Sequence, residues 1–517
     1  MSDRATTDYE TSLRQDDLAL HVRKIEAAVA QQDFHRVLEL IENDIVATWF
    51  GLPLSRTSEI LELLLRSVSS DSRLLHIVRI FYSGNASEAL DAQEFLSTFD
   101  FDDPQEVYLL VMLRLGNSRI QGRTRDALEQ CAVLEQQLGK MQPLLGSYGG
   151  WMLHTAVQIG VTAMLAGDFT QALTQFTRAQ LHAPVPKYAF LTRDALAKSA
   201  LIHACFGNNA TARSLIRRAD RISRTSSWAE DHIDAHRDFA EVLVTTDDYD
   251  EALEKLEAIN LHDIGEMWPF YVLAIHRVLE AGGHHGELDH QMQMFDSMPF
   301  PRHDGDGFAG SIIPLKCAML AMKNGRGVEA QTFLDRADQE LPYTQLIQAA
   351  AHVYAGRPQQ AIQLVSRVRP ETRGFRFMEA RRLSILAAAQ YQAGANDECI
   401  TTLTRAAEMP WGLSSQEVQL FSPATRELAA KEVAVWPRDN HDPSVFLTDL
   451  PEPGLALTER EVETLGYLAR GHTRAQIADE MYISVNTLKT HLKAIYRKLD
   501  VSTAADAVLA AQRRGRI

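Results

Sequence analysis

Residues Leu455–Ile517 read LALTEREVETLGYLARGHTRAQIADEMYISVNTLKTHLKAIYRKLDVSTAADAVLAAQRRGRI, and their local chemistry parses into four short helices. Thr458 followed by Glu461 is a capping box, each side chain satisfying a backbone N–H at a helix start. Val462, Leu465, Leu468 and Ala469 then form one apolar face, and Gly471 ends the helix. Thr473 and Gln476 repeat the capping pattern for a very short second helix, with Ile477, Ala478 and Met481 inward. Ser484 caps a third helix whose buried stripe is Val485, Leu488, Leu492, Ile495 and Leu499. Thr503 caps a fourth, running to Gly515. Two helices joined by a tight turn, the second basic on its free face, make a helix-turn-helix. That free face carries Lys489, Lys493, Arg497 and Lys498, with no acid before Asp500. Such a helix fits the major groove, and its cations suit phosphates and base edges. By charge alone, a solvated basic face on a helical bundle is an equal alternative.

The motifs of this stretch resemble the DNA-binding domain of the LuxR family. The matching residues open with Leu457-Thr458-Glu459-Arg460-Glu461 and Leu468-Ala469-Arg470-Gly471. They continue with Ile477-Ala478, Ile483-Ser484, Thr487-Leu488-Lys489-Thr490-His491 and Lys498-Leu499-Asp500-Val501. The resemblance implies a four-helix domain whose third helix enters the major groove. It implies that Lys489, Thr490 and Lys493 face bases, and that Thr473, Arg474, Ser484, Asn486 and Thr487 contact phosphates or position the domain; Arg497, on the basic free face, is expected to contact phosphate as well. It also implies a dimer face on the fourth helix at Val508, Leu509, Ala511 and Gln512, and a packing role for His491. One position departs from the pattern: Ala504 stands where the family usually has Arg, so whatever that Arg anchors is replaced or absent.

The rest of the chain differs in charge. From Leu455 onward 10 Lys and Arg stand against 7 Asp and Glu, a balance of +3, which leaves −19 for the remainder of a chain whose net charge is −16. DNA repels an acidic body and attracts a basic end, so binding is expected through the C-terminal end alone. The 517 residues suffice for several domains or one long repeat array, and 45% hydrophobic with 23% charged is a globular balance. No apolar run approaches a membrane span, and the start, MSDRATTDYE, lacks the form of a signal peptide, so a cytoplasmic protein with no membrane partner is expected. The four cysteines, Cys131, Cys205, Cys317 and Cys399, lie far apart in helical patterns and read as buried reduced thiols.

Glycine followed five positions later by alanine recurs through this body. The pairs are Gly84 with Ala89, Gly122 with Ala127, Gly167 with Ala172, Gly207 with Ala212, Gly325 with Ala330 and Gly356 with Ala361. Gly394 with Cys399 and Asp247 with Ala252 are variants, and Gly283 with Leu288 is a weak copy. The copies lie roughly 40 residues apart. Glycine supplies the left-handed residue that ends one helix, and the small residue early in the next lets the two backbones approach. Each such hairpin exposes an apolar face that only its neighbours can cover, so the hairpins stack. The expected fold is therefore all-α: a helical-hairpin superhelix over 1–436, a Pro-rich polar linker over 437–454, and the helix-turn-helix domain over 455–517. The array resembles tetratricopeptide repeats, in particular the longer repeats of the maltose-activator class of large LuxR-type regulators. Members of that class usually carry an ATPase module before the repeats, but no GxxxxGK[ST] loop occurs here.

Other chemistry is thin. His232 and His236 share a helix face at metal-ligand spacing, but no further ligand is identifiable, and an exposed polar face is the simpler reading. Gly282-Gly-His-His-Gly286 with His290 reads as a solvated turn, and Gly146-Ser-Tyr-Gly-Gly150 as a loop between hairpins. Trp151 and Trp268-Pro-Phe-Tyr271 either line a concave groove or fill repeat cores. No paired carboxylates or nucleophile elbow support an enzyme, and neither cofactor nor metal is expected. The sequence thus reads as a transcription regulator whose array senses a ligand or partner. Its C-terminal end binds double-stranded DNA as a homodimer, and it in turn meets RNA polymerase. The alternative is an interaction scaffold whose C-terminal domain docks proteins. The linker is also long enough for the basic helix to fold back onto the acidic array and be masked there.

Overall fold

The computed structural model describes residues 17–68, 102, 104–145, 149–181, 185–245, 249–437, 457–513 and 517. All regular structure among them is helical, with no strand. The helices pair as antiparallel hairpins. Asp17–Ala30 pairs with Phe34–Asn43, Pro104–Ile120 with Thr124–Leu145, Gly149–Ala166 with Phe169–Leu181, and Ala189–Cys205 with Asn209–Asp220. Then come Glu230–Thr245 with Tyr249–Glu257, Trp268–Ala281 with His285–Ser297, Gly307–Lys323 with Gly327–Asp335, Pro342–Tyr354 with Pro358–Arg367, and Arg376–Gln392 with Asn396–Ala407. The small residue of each described pair sits in the hairpin seam: Ala127, Ala172, Ala212, Ala252, Ala330, Ala361 and Cys399 are all buried, as is Leu288 of the weak copy. Gly84, Ala89 and Asp247 lie outside the described residues.

Two of the turns show why glycine stands there. Gly122 has φ 76° and Gly167 φ 93°. A Cβ on Gly122 would lie 2.3 Å from the Arg302 amide nitrogen, and one on Gly167 would lie 2.7 Å from Leu341 Cδ2. These turns are thus also docking points for hairpins far along the chain. Gly207 is different: it is absent from the left-handed turns, and Asn208 caps the following helix by accepting from the Ala210 amide at 2.8 Å.

The two helices of a hairpin play unequal parts. Trp268–Ala281 buries every residue but Arg277, and Gly307–Lys323 every residue but Met319 and Lys323. A helix apolar all round must be covered all round. By contrast, Asn209–Asp220 buries one stripe, Ala212, Leu215, Ile216 and Ala219. Trp268–Ala281 and Gly307–Lys323 therefore lie inside the superhelix, and Asn209–Asp220 outside. The inside is filled: Phe169, Phe206, Phe270, Phe308, Tyr343 and Phe375 form one cluster of rings, with centroids 4.5 Å apart for Phe169 and Phe206 and 5.0 Å for Phe270 and Phe308. The Phe377 amide donates to the Phe206 carbonyl at 2.9 Å, closing the superhelix on itself. Of the two readings of the aromatic groups, core is the one realised: Trp268 is buried and stacks on Phe300 at 4.4 Å, and half-buried Trp151 meets Tyr108 edge-on at 5.2 Å.

The histidine pair is not the exposed face expected from its spacing. His236 is buried and its Nε2 lies 2.9 Å from the Ile264 carbonyl, while His232 Nδ1 lies 2.8 Å from that of Asp263. Both imidazoles therefore tie one hairpin to the next. The glycine–histidine cluster is a hairpin turn, where His284 Nε2 meets Asp250 Oδ1 at 2.8 Å. Gly146, Ser147 and Tyr148 lie outside the described residues. The four cysteines are buried and unpaired. Among the described residues no group of three or more His, Cys, Asp or Glu could hold a metal, and no helix is long and apolar enough to cross a membrane.

Candidate nucleic-acid interface

The C-terminal residues form the four helices α1 (Glu459–Ala469), α2 (Arg474–Glu480), α3 (Val485–Leu499) and α4 (Ala504–Arg513). Both capping boxes are complete: the Glu461 amide donates to Thr458 Oγ1, and Glu461 accepts from the Thr458 amide at 2.7 Å. Thr473 and Gln476 do the same at α2. Ser484 caps α3, accepting from the Thr487 amide at 3.0 Å. Thr503 caps α4 and donates to Asp506 Oδ2 at 2.6 Å, so a Thr–Asp pair holds the helix start beside Ala504. Leu465, Ile477, Ala478, Met481, Leu488, Leu492, Ile495, Leu499, Ala507 and Ala511 make the core.

Two residues expected in that core lie outside it. Val485 is 43% exposed, because it sits on the first turn of α3 before that helix reaches its neighbours. Ala469 is exposed at the end of α1, where the chain turns at Gly471 with φ 80°.

The side of α3 away from the core carries the sequence-derived set. Lys489, Thr490, Lys493 and Arg497 are exposed, as are Ser484, Asn486 and Thr487 at its N-terminus. Thr473 and Arg474, at the start of α2, are exposed too. Lys489 and Lys493 stand one turn apart on a single face. The described residues of the array leave all of these side chains exposed. His491 is half-buried.

Lys498 does not belong to the free basic face. Its Nζ lies 2.7 Å from Glu461 Oε2, and both side chains are largely buried. Glu461 thus closes the cap of α1 and anchors the C-terminal turn of α3. Sequence reading assigned it only the first role, because helical spacing does not say which helix a long side chain will reach. Tyr482 carries no signal in the helical pattern of the sequence. It is 95% exposed, has φ 54°, and stands in the turn between α2 and α3. Its left-handed conformation is unusual for an aromatic residue.

The four positions assigned to the dimer face separate. Leu509 is 47% exposed and Gln512 is exposed, Val508 is half-buried, and Ala511 is fully buried. Ala511 faces the domain's own core with Ala507, one turn away, and cannot contact a second chain while the domain is folded. The end of α4 meets the array instead: Tyr354 Oη donates to the Arg513 carbonyl at 3.3 Å, and Gln512 and Arg513 border helix Gly327–Asp335.

Comparison with known proteins bears on this domain. Residues 455–511 match the family model described as bacterial regulatory proteins, luxR family. The transcriptional regulatory protein LiaR of Bacillus subtilis is 43% identical over 61 residues, 12% of this chain and 29% of LiaR. The HTH-type transcriptional regulator MalT of Yersinia enterocolitica is 44% identical over 57 residues, 11% of this chain and 6% of that protein. The transcriptional regulatory protein LnrK of Bacillus subtilis is 34% identical over 89 residues, 17% of this chain and 40% of LnrK. The chain spans less than half the length of each of these relatives. The C-terminal residues are a LuxR-type helix-turn-helix domain, and the helical body before them lies largely outside these matches.

Proposed function

We propose that this chain is a transcription regulator that binds double-stranded DNA through α3 and whose helical array senses a ligand or protein partner. The observation that carries the reading is the joint exposure of Lys489, Thr490, Lys493 and Arg497 on one side of a helix whose other side is the domain core. In this reading Lys489, Thr490 and Lys493 read bases in the major groove. Thr473, Arg474, Ser484, Asn486, Thr487 and Arg497 hold the phosphates on either side. Residues 1–436 form the sensing array, 437–454 the linker and 455–517 the reader. One such domain makes few base contacts, so a homodimer on paired half-sites supplies affinity and specificity. Leu509, exposed and away from the contact with the array, is the member of the α4 set open to a partner chain. Action in the cytoplasm, contact with RNA polymerase and the lack of an enzymatic step complete the proposal.

The test is a mobility shift of the full chain on genomic fragments across a salt series. A regulator retains a subset of fragments, and its affinity falls steeply with salt as counterions are released. A chain that retains no fragment at any salt concentration is a scaffold, and the reading fails.

A further inference from the structure

Inside the array, helices Trp268–Ala281, Gly307–Lys323 and Arg376–Gln392 converge on a cavity of about 40 Å³. One water needs roughly 10–15 Å³ by the same measure. The space therefore suits a group of a few atoms, not a sugar chain or a peptide.

Its wall is charged. Lys316 and Glu280 are buried, at 3% and 7% exposure, and Arg277 and Arg381 are half-buried. Lys316 Nζ donates to Tyr343 Oη at 2.7 Å and weakly to Met319 Sδ at 3.9 Å, which leaves one of three ammonium hydrogens. Arg277 donates to the Ala204 carbonyl at 2.9 Å and to that of Cys205, and lies 4.4 Å over the Phe377 ring. Three cations thus line the cavity against the single carboxylate of Glu280. A buried excess of one sign is costly unless something neutralises it.

His276 is the second observation. It is 1% exposed and borders the cavity, yet neither ring nitrogen has a hydrogen-bond partner among the described residues. Glu280 Oε2 lies 3.6 Å from Nδ1, beyond hydrogen-bond reach. Buried polar groups are paired as a rule, and an orphan asks for a reason. Burial, reinforced by Lys316 and Arg381, holds this imidazole neutral, with one N–H to give. Burial alone would raise the Tyr343 phenol, but Lys316 and Arg381 outweigh it and hold the group below its ordinary value. Both groups sense the positive charge of Lys316 and Arg381.

We propose that this cavity binds a small oxyanion, a carboxylate or phosphate group, with Lys316 and Arg381 supplying charge and His276 supplying a hydrogen bond. The inference rests on the reading of the array as a sensor and names the chemistry it senses. A bound anion would tie helix Gly307–Lys323 to helix Arg376–Gln392, beside the seam where Phe377 meets Phe206.

The experiment is calorimetric titration of the full chain, in chloride buffer of fixed ionic strength, with inorganic phosphate and separately with acetate. One saturable site per chain is expected for at least one of the two, and the responding anion tells phosphate from carboxylate. Lys316→Met and Arg381→Gln should each weaken it at least tenfold. His276→Leu removes an unpaired buried polar group, so it should weaken binding while leaving the melting temperature of the anion-free protein unchanged or higher. Arg381 is half-buried, so its variant carries the test if Lys316→Met does not fold. No saturable heat with either anion, or full affinity in Arg381→Gln and His276→Leu, overturns the site. DNA affinity measured on the same samples separates the two readings. Anion binding that leaves DNA affinity unchanged keeps the site and removes its sensing role. Intact DNA binding without anion binding removes the site alone.

Discussion

Glu461 is the residue on which the C-terminal domain turns, since one carboxylate closes the cap of α1 and holds Lys498 of α3. Glu461→Gln keeps a cap acceptor but leaves the Lys498 ammonium facing a neutral amide at a largely buried site. The expected loss is about 1–3 kcal/mol of domain stability, read by denaturant melting, with base preference unchanged. The exposed cations act differently. Lys489→Ala and Lys493→Ala should each cost about 1–3 kcal/mol at a specific site and relax preference at one base pair. Arg474→Ala should weaken all sequences alike and flatten the salt dependence. Identical binding-site profiles for wild type and Lys493→Ala would sink the base-reading assignment. At this scale the caps and the exposed set were legible, because both depend on residues within one or two turns of each other. Lys498 and Ala511 were not: which neighbour a side chain meets depends on how four helices pack, and no helix carries that in its own pattern.

At the scale of elements, the small residue five positions after a glycine is a seam between two helices, and this rule was readable wherever the hairpin is described. What it could not give is the second duty of some turns. Gly394 has open space around its missing Cβ, so Gly394→Ala should cost only the left-handed strain, about 1–2 kcal/mol. Gly122→Ala adds a clash with the backbone of Arg302, and Gly167→Ala a clash with Leu341. Both should destabilise clearly more than Gly394→Ala when the three are compared by thermal melting, and equal losses would contradict the docking role of these turns. The closure of the superhelix was hidden for the same reason. Phe169 and Phe375 come within 6.1 Å across most of the array, and each reads in its own segment as an ordinary core residue.

At the scale of the molecule, two fields govern behaviour. The first is the cost of protonating buried imidazoles. Burial, with Lys187 nearby, lowers His21 to about 4, and burial, with Lys198 nearby, lowers His236 to about 3. Unfolded chains bind these protons near pH 6.5, so the unfolded state gains protons first and stability falls as pH drops below 6.5, until the folded values are reached. A melting temperature that holds constant from pH 6.5 to 4 would contradict this burial. The second field is the segregation of charge, −19 before Leu455 and +3 after it. The basic side of α3 is exposed and the array meets the domain at the end of α4, so under the proposed function the array would act on DNA through charge rather than by blocking contact. Repulsion of that kind reaches about 30 Å at 0.01 M salt and about 10 Å at 0.1 M. The C-terminal domain fused to an unrelated dimeric coiled coil should therefore bind a given site more tightly than the full-length protein at low salt. The difference should shrink toward nothing as salt rises through the physiological range. Steric masking would give a difference that salt does not erase, and fluorescence anisotropy of both proteins on one duplex across a salt series separates the two cases.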